Sequence, residues 1–325
     1  MLKKYRTRLT IVSISGLVIV AAALFYVNFY LLRPSGSGPA GPEVAAQPFA
    51  EVWTERPVHV IGLGDSITAG FGAASPDHSY FERLLHNPSD EFADMHGRSL
   101  DQVLPQLSAK NLSVSGSISE EHLNTIETTL PDYPPEVFGI VVMTTGGNDL
   151  IHNYGRTPPR EGAMYGATLA EAEPWIASFE ARLSEMLDKI EAKFPGGCEI
   201  YLADIYDPTD GVGDAPSVFL PPWPDAMEIL GRFNEVLRDA AKNRANVHHV
   251  PLHATFLGHG SHCRQFWRST YVADDPYHWF YENIEDPNDR GYDAIRRIFL
   301  NAIVEHTQLR TAGKEPTDTD QAGTD

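Results

Sequence analysis

Three short segments of the sequence carry residues that could take part in acyl transfer. Ser66 lies in the stretch GLGDSITAG, Gly116 in SGS and Asn148 in TTGGND. A serine hydroxyl becomes a nucleophile when a base takes its proton. Backbone N–H groups and a carboxamide can stabilise the negative charge that develops on a carbonyl oxygen. Each segment alone is a weak signal, because serine, glycine and asparagine are also common in turns and helix caps.

Each of these segments ends a strand-like run, and helical stretches separate the runs. The predicted strands cover 58–64, 111–116, 137–147, 198–205 and 246–252, and the predicted helices cover 120–130, 171–194, 225–243 and 289–306. Strands that alternate with amphipathic helices predict a doubly wound α/β domain around a parallel sheet. Because the carboxyl ends of such strands form one edge, the three segments are expected to lie together there.

The order of these motifs resembles the SGNH branch of the GDSL hydrolases, over about residues 58–305. GDSITAG after the first strand and GGND after the third carry the resemblance. It implies a flavodoxin-like three-layer α/β/α sandwich with a five-stranded parallel sheet, and ester hydrolysis or acyl transfer. It also implies that Ser66 is the nucleophile, and that the N–H groups of Ser66 and Gly116 and the side chain of Asn148 form the oxyanion hole.

The fourth block of the family pattern is irregular. Asn283 and Asp286 occupy the Asp and His positions of an Asp-x-x-His block that precedes Pro-Asn and a helix-opening glycine. Because histidine is the usual base for a serine hydroxyl at neutral pH, the base is expected elsewhere on this loop. His278 is the first choice, because Asp275 precedes it at the family spacing. The alternative bases are His259 and His262, in the glycine-rich stretch LGHGSHC.

The N-terminal segment has the composition of a signal anchor. An apolar run over 9–32 follows four basic residues within 1–8, which predicts a transmembrane helix with its N-terminus in the cytoplasm. A cleaved signal peptide is the alternative and would give a secreted protein. Both place the body outside the cytoplasm, in the periplasm or beyond. The expected organisation continues with a flexible linker over 33–55, a hydrolase domain over 56–307 and a disordered tail over 308–325.

Composition limits the possible partners. The chain has 325 residues, 42% of them hydrophobic, and a formal net charge of −19, which is unfavourable for nucleic-acid binding. Cys198 and Cys263 are too few for a disulfide framework, and one bridge or two separate thiols are both compatible with the sequence. No metal-ligand spacing is present in the sequence, and the predicted chemistry needs no metal and no cofactor.

Together these features predict a membrane-anchored extracytoplasmic serine ester hydrolase. Its expected substrate is an acyl ester of a carbohydrate, a lipid or an envelope polymer. Two alternatives use the same fold. One is a non-catalytic envelope-binding module, which the irregular fourth block suggests. The other is an acyltransferase, in which Ser66 would pass the acyl group to an acceptor hydroxyl instead of water.

Overall fold

A computed structural model describes the backbone of residues 2–310 and the side chains of residues 13–310. The predicted disordered tail lies largely beyond residue 310, outside the described residues. Before that point, Leu309 is buried and the N–H of Gln308 donates to Glu199 over 2.8 Å. The described chain therefore still contacts the domain at residues 308 and 309.

A five-stranded parallel sheet forms the centre of the molecule, as predicted. Its strands pair in the order β2-β1-β3-β4-β5, which is the flavodoxin-like order. The strands are β1 Val58–Leu63, β2 Leu107–Asn111, β3 Phe138–Met143, β4 Cys198–Ala203 and β5 Val247–Val250. Since the chain crosses from β2 past β1 to β3, the carboxyl ends of β1 and β3 flank the point where the winding direction reverses. Ser66 and Asn148 follow these two strands.

Helices cover both faces of the sheet. The helices of the described residues are α1 Leu2–Tyr26, which lies outside these layers, α2 Ser66–Ala69, α3 Tyr80–Leu85, α4 Ser119–Thr128, α5 Gly147–Ile151, α6 Leu169–Lys193, α7 Ala226–Lys242, α8 Leu252–Phe256 and α9 Asp289–His306. Neighbouring residues of β3 belong to different cores: Ile140 packs with α3 and α9, and Val141 packs with α6 and α7. Burial on both faces explains why the central strands are apolar throughout.

Strand β2 lies earlier in the chain than the sequence predicts. The prediction placed it at 111–116, whereas it ends at Asn111. This strand is at the edge of the sheet, and Ser108, Ala109 and Lys110 are exposed. A polar edge strand carries no apolar pattern, so the prediction selected the residues that follow it. Gly116 consequently lies in the turn beyond the strand.

The N-terminal apolar segment forms a helix whose described side chains are mostly exposed. Helix α1 continues into a π-helical turn at Val27–Leu31. Its stretch Ser13–Leu31 has a mean hydropathy of 2.0, and none of it is buried in the protein. By length and composition this helix could cross a membrane. A signal sequence near the N-terminus would have the same features.

The segment predicted as a flexible linker is packed against the domain. Val44 is fully buried, and Phe49 and Trp53 belong to the core that α9 also lines. The N–H of Ala40 donates to Asp293 of α9 over 2.9 Å. The prediction of a free linker over 33–55 was therefore wrong for these residues. Their apolar side chains lie at irregular intervals among Pro and Gly, so no periodic pattern indicated burial.

The two cysteines are separate thiols. Both Cys198 and Cys263 are buried and neither forms a disulfide. Burial raises the pKa of each thiol to about 12, with the charge of nearby acidic residues adding to the shift. Both side chains are therefore uncharged packing residues at neutral pH.

Candidate active site

Ser66 is held at the carboxyl end of β1 by a sharp turn. Gly64 has φ +138°, and a Cβ there would lie 2.4 Å from the carbonyl oxygen of Thr144. Asp65 then caps α2, since its Oδ1 accepts a hydrogen bond of 3.1 Å from the N–H of Ile67. Ser66 is the first residue of this short helix, and its side chain lines a cavity at the edge of the sheet. The N–H of Ser66 has no partner within the helix.

The other two residues of the predicted oxyanion hole lie close to each other along the same edge. Asn148 lines the cavity with Ser66, and its Nδ2 donates to the carbonyl oxygen of Ser117 over 2.9 Å. Gly116 precedes Ser117 and has φ +80°, with no atom within 4 Å of where a Cβ would stand. It is not one of the residues that line the cavity. The turn after β2 thus fixes the Asn148 carboxamide beside the cavity.

Asp286 faces Ser66 in the structure. The carboxyl group of Asp286 is buried, and its Oδ2 accepts a hydrogen bond of 2.7 Å from Nδ2 of Asn283. Ser66 and Asp286 line the same cavity, and the nearby Ser66 hydroxyl lowers the pKa of this carboxyl group. Oδ1 of Asp286 is buried and has no hydrogen-bond partner among the described residues. Catalytic hydrogen bonds are often long or poorly aligned in unliganded structures and tighten when substrate binds.

A short turn fixes the position of Asp286. The N–H of Tyr281 donates to the Asp286 carbonyl over 2.7 Å, and Phe280 and Pro287 form an antiparallel bridge. Ile284 has φ +68°, a left-handed conformation that a β-branched residue rarely adopts. Oδ1 of Asn283 accepts the Asp286 N–H over 3.2 Å. The chain thus adopts a strained turn that directs a carboxyl group towards Ser66.

His278 and Asp275 do not form the predicted base at Ser66. Nδ1 of His278 donates to the carbonyl oxygen of Gly260 over 3.0 Å, and the ring lines a second, separate cavity. Asp275 pairs instead with Arg290, at 2.6 Å. Burial lowers the pKa of His278 to about 4, so the ring is neutral. The family spacing between Asp275 and His278 is present in the sequence, but the loop places the pair away from Ser66.

The two alternative bases support the fold of their loop. His259 stacks on Trp279 with ring centroids 3.4 Å apart, and burial lowers the pKa of His259 to about 4. Nε2 of His262 contacts Asp214 at 2.8 Å. The Asp210 carboxylate accepts hydrogen bonds from three backbone N–H groups of this loop, at residues 258, 260 and 262. Among the described residues, no histidine lines the Ser66 cavity.

The cavity beside Ser66 has a volume of about 380 Å³ and a largely apolar wall. Side chains from α5, from the loops before α6 and α7 and from α7 itself form this wall: Leu150, Ile151, Tyr165, Val218, Leu220, Trp223, Met227 and Leu230. Trp223 is fixed by its Nε1, which donates to the carbonyl oxygen of Ala167 over 2.8 Å. A cavity of this size and lining can accept an apolar acyl chain.

A cluster of acidic groups forms the polar end of the cavity. Desolvation raises the pKa of Asp65 to about 6. It also raises the pKa of Asp286, although hydrogen bonds from Ser66 and Asn283 lower it in part. The pKa of Glu285 is raised by burial and by the charge of Asp286, and its Oε2 accepts a hydrogen bond from the Tyr154 hydroxyl. The Asp286 carboxylate is therefore more basic than a solvated one.

His122 supports the part of the site near Gly116 and Asn148, and sequence patterns gave no indication of this role. Its Nε2 lies 2.7 Å from Oγ of Ser117 and its Nδ1 lies 2.8 Å from Oγ1 of Thr145. Burial lowers the pKa of His122 to about 4, so a neutral ring links the turns after β2 and β3. Asp286 was also missed as a site residue. Its position in the motif pointed to it, but the expected base was an imidazole.

The parallel sheet, the Ser66 turn and the adjoining apolar cavity define a serine hydrolase that acts on esters. The model of the GDSL-like lipase/acylhydrolase family matches residues 63–294, and the chain belongs to this family. No curated protein matches the chain.

Solved structures share the fold at low sequence identity. The lipase Lip_vut3 from a goat rumen metagenome is 16% identical, with a TM-score of 0.50 over 78% of this chain and 100% of that one. The acetylxylan esterase Axe2 from Geobacillus stearothermophilus is 17% identical, with a TM-score of 0.46 over 80% of this chain and 100% of that one. A lipolytic G-D-S-L family member from Veillonella parvula is 14% identical, with a TM-score of 0.45 over 75% and 97%.

Proposed function

We propose that this protein is a membrane-anchored esterase in which Asp286, held by Asn283, is the base for Ser66. The observation that carries this proposal is the buried Asp286 carboxyl group, which faces the Ser66 hydroxyl and is hydrogen-bonded to Asn283 on its other oxygen. The N–H groups of Ser66 and Gly116 and the Asn148 side chain form the proposed oxyanion hole.

The proposed reaction has two halves. Oγ of Ser66 bonds to the ester carbonyl carbon while its proton passes to the Asp286 carboxylate, and the C–O bond to the alcohol then breaks. The protonated Asp286 gives this proton to the leaving alkoxide. Asp286 next takes a proton from water, the resulting hydroxide attacks the acyl-enzyme, and the acid is released as Ser66 regains its proton. Desolvation of Asp286 supports its role as the base, because a carboxylate with a raised pKa accepts a proton more readily.

The lining of the cavity favours a long apolar acyl chain over a short acyl group such as acetyl. Its wall consists mainly of aliphatic and aromatic side chains, while Tyr154, Arg156 and Glu285 lie at its polar end. An acetyl group would leave most of this wall without a contact. Among carbohydrate, lipid and envelope-polymer esters, we therefore favour a lipid or another ester with a long acyl chain.

The apolar helix supports the proposed location. The apolar stretch Ser13–Leu31 is long enough for a span, and the basic residues at the start of α1 favour a cytoplasmic N-terminus. The body would then lie outside the cytoplasm, or be secreted if the segment is cleaved. Protease added to intact cells is expected to cleave the body. Full protection of the body would contradict this topology.

Fluorophosphonate labelling of the purified protein tests the chemistry. The wild type is expected to be labelled at Ser66, Ser66→Ala to be unlabelled, and Asp286→Asn to react much more slowly. His278→Asn is the matched control and should react like the wild type. A folded wild type that resists labelling would overturn the proposal and favour the binding module. Product analysis with an added acceptor alcohol then separates a hydrolase from an acyltransferase.

A series of aryl esters of increasing acyl length tests the substrate class. We expect kcat/KM to rise with chain length for the wild type, because each added methylene can bury against the wall. Ala226→Trp, which fills part of the cavity, should remove this increase while leaving turnover of the acetyl ester. A wild type that prefers the acetyl ester would contradict the acyl-chain assignment and leave the Ser66–Asp286 chemistry intact.

A further inference from the structure

A short loop of the body packs against the outer end of the apolar helix. Trp267 stacks on Phe25, with ring centroids 5.5 Å apart, and meets Phe29 edge-on at 5.3 Å. Phe266 contacts Phe29 at 5.6 Å. Nε2 of Gln265 donates to the carbonyl oxygen of Phe29 over 3.1 Å. The loop is therefore attached to the part of the helix that would leave the membrane.

These aromatic side chains remain largely exposed. Phe266 is 59% exposed and Trp267 is 43% exposed, although both are large and apolar. Phe25 precedes the end of the predicted span at residue 32 by seven positions, which corresponds to about 10 Å along a helix. Trp267 and Phe266 also contact Phe29, three positions before that end, so the two side chains lie within the last two turns of the span. This is the side of the predicted span next to the outer lipid interface, where tryptophan is favoured.

The sequence around Phe266 and Trp267 is basic, unlike the body as a whole. Arg264 and Arg268 flank Phe266 and Trp267, and no acidic residue occurs from 258 to 273. The chain as a whole has a net charge of −19. A local basic-aromatic sequence on an acidic protein is complementary to the phosphate groups of lipids.

The same side of the protein includes a wall of the Ser66 cavity. Arg33, which directly follows the predicted span, lies 5.7 Å from the ring of Phe219 and donates to the carbonyl oxygen of Ser217. Phe219 is 81% exposed, whereas its neighbours Val218 and Leu220 line the cavity. The chain just after the apolar helix therefore contacts residues adjacent to the cavity wall.

We propose that Phe266 and Trp267 insert into the outer interface of the bilayer, with Arg264 and Arg268 on lipid phosphates. This lipid-docking loop, residues 264–268, would hold the body against the membrane. The cavity wall next to Phe219 would then lie close to the acyl chains of the lipids. Esters of membrane lipids then reach Ser66 from the bilayer itself. The inference rests on the proposed anchoring by helix α1 and goes beyond it, because an anchor alone does not fix the orientation of the body.

The full chain in phosphatidylcholine vesicles with brominated acyl chains provides the test. Flotation of the wild type with the vesicles first checks the anchor. Trp267 fluorescence, measured as the difference between the wild type and Trp267→Phe, should be quenched most by bromine near the headgroups. Floating protein without this quenching would overturn the docking proposal alone. Wild type that does not float would overturn both the anchor and the docking loop.

Activity gives a second, independent result. Phe266→Ser/Trp267→Ser should hydrolyse a lipid ester in the vesicles about tenfold more slowly, as expected when two interfacial aromatic contacts are lost. Turnover of a soluble short-chain ester should be unchanged. Val52→Ser, an exposed apolar residue outside this loop, is the matched control and should behave like the wild type. An equal loss of both activities in the double variant would show a general structural effect and overturn the proposal.

Discussion

The Asn283 carboxamide donates a 2.7 Å hydrogen bond to the Asp286 carboxyl group, and this pair occupies the motif positions that usually hold Asp and His. The chain thus keeps the motif positions and changes the side chains. In the usual arrangement a carboxylate accepts a hydrogen bond from an imidazole. Here the neutral Asn283 amide donates to the Asp286 carboxylate. This hydrogen bond fixes the orientation of the carboxylate without adding a second charge. A carboxyl group is thereby placed beside Ser66, with desolvation raising its pKa.

Removal of the proposed base gives the first prediction. Asp286→Asn should lower kcat for an aryl ester by about 10²–10⁴, the usual contribution of a general base. KM should change little, because the proton transfer occurs only in the transition state. Steady-state kinetics on the folded variant measures both constants. His278→Asn should keep wild-type kcat, because its ring lines the second cavity.

A double substitution tests whether an Asp–His pair at the same positions can replace the Asn283–Asp286 pair. Asn283→Asp/Asp286→His creates the usual motif at the same positions and should recover activity relative to Asp286→Asn. Equal activity of Asp286→Asn and wild type would remove Asp286 from the mechanism. A large loss in His278→Asn, with the fold intact, would return that histidine to the list of candidate bases.

The pH dependence of kcat/KM should follow a carboxyl group. Asp286 must be ionised to accept a proton, so activity should fall as the pH drops through its raised pKa. The charge of Asp286 raises the pKa of Glu285. Because interaction between two charges is mutual, an ionised Glu285 disfavours ionisation of Asp286, so Glu285→Gln should move this acid limb to lower pH. The measurement is a pH–rate profile of both proteins. A limb that Glu285→Gln moves to higher pH would contradict the assignment.

Loss of the carboxamide donor tests the oxyanion hole. Asn148→Ala should lower kcat by about 10²–10³, the usual cost of one oxyanion donor, with a smaller effect on KM. The variant should fold, although the turn after β2 loses the hydrogen bond to Ser117. A raised KM with unchanged kcat would make Asn148 a substrate-binding or turn residue. Thermal unfolding of the variant controls for a structural defect.

The packed N-terminal segment of the domain should contribute to stability. Val44→Asp places an unpaired carboxylate in the core and should lower the free energy of unfolding by about 3 kcal/mol or more. Val52→Asp is the matched control, because Val52 is exposed and should change the stability by only about 0.5 kcal/mol. Denaturant unfolding measures both. Equal stability of the two variants would show that the segment is not part of the folded core.

Local patterns in the sequence were sufficient for most of the fold. The apolar stripe of the last helix predicts residues 289–306, and α9 covers these residues. The central strands were also found, because strands buried on both faces are continuous apolar runs. Strand β2 and the segment around Val44 were misassigned. An exposed edge strand and an irregular packed segment have no periodic signal, and only contacts with distant residues determine their place.

Sequence motifs were enough to locate the proposed nucleophile, because Ser66 lies in a short motif whose turn depends on adjacent residues. They also located Asn148 and the Asn283–Asp286 positions of the final block. The side chain that faces Ser66 was found from the three-dimensional fold alone. That outcome depends on how the loop between β5 and α9 folds back over the sheet, with the Asp210 carboxylate holding residues 258–262 and a strained Ile284 directing Asp286. Such long-range contacts are absent from the spacing of residues along the chain, so His278 matched the motif and still lies at a different cavity.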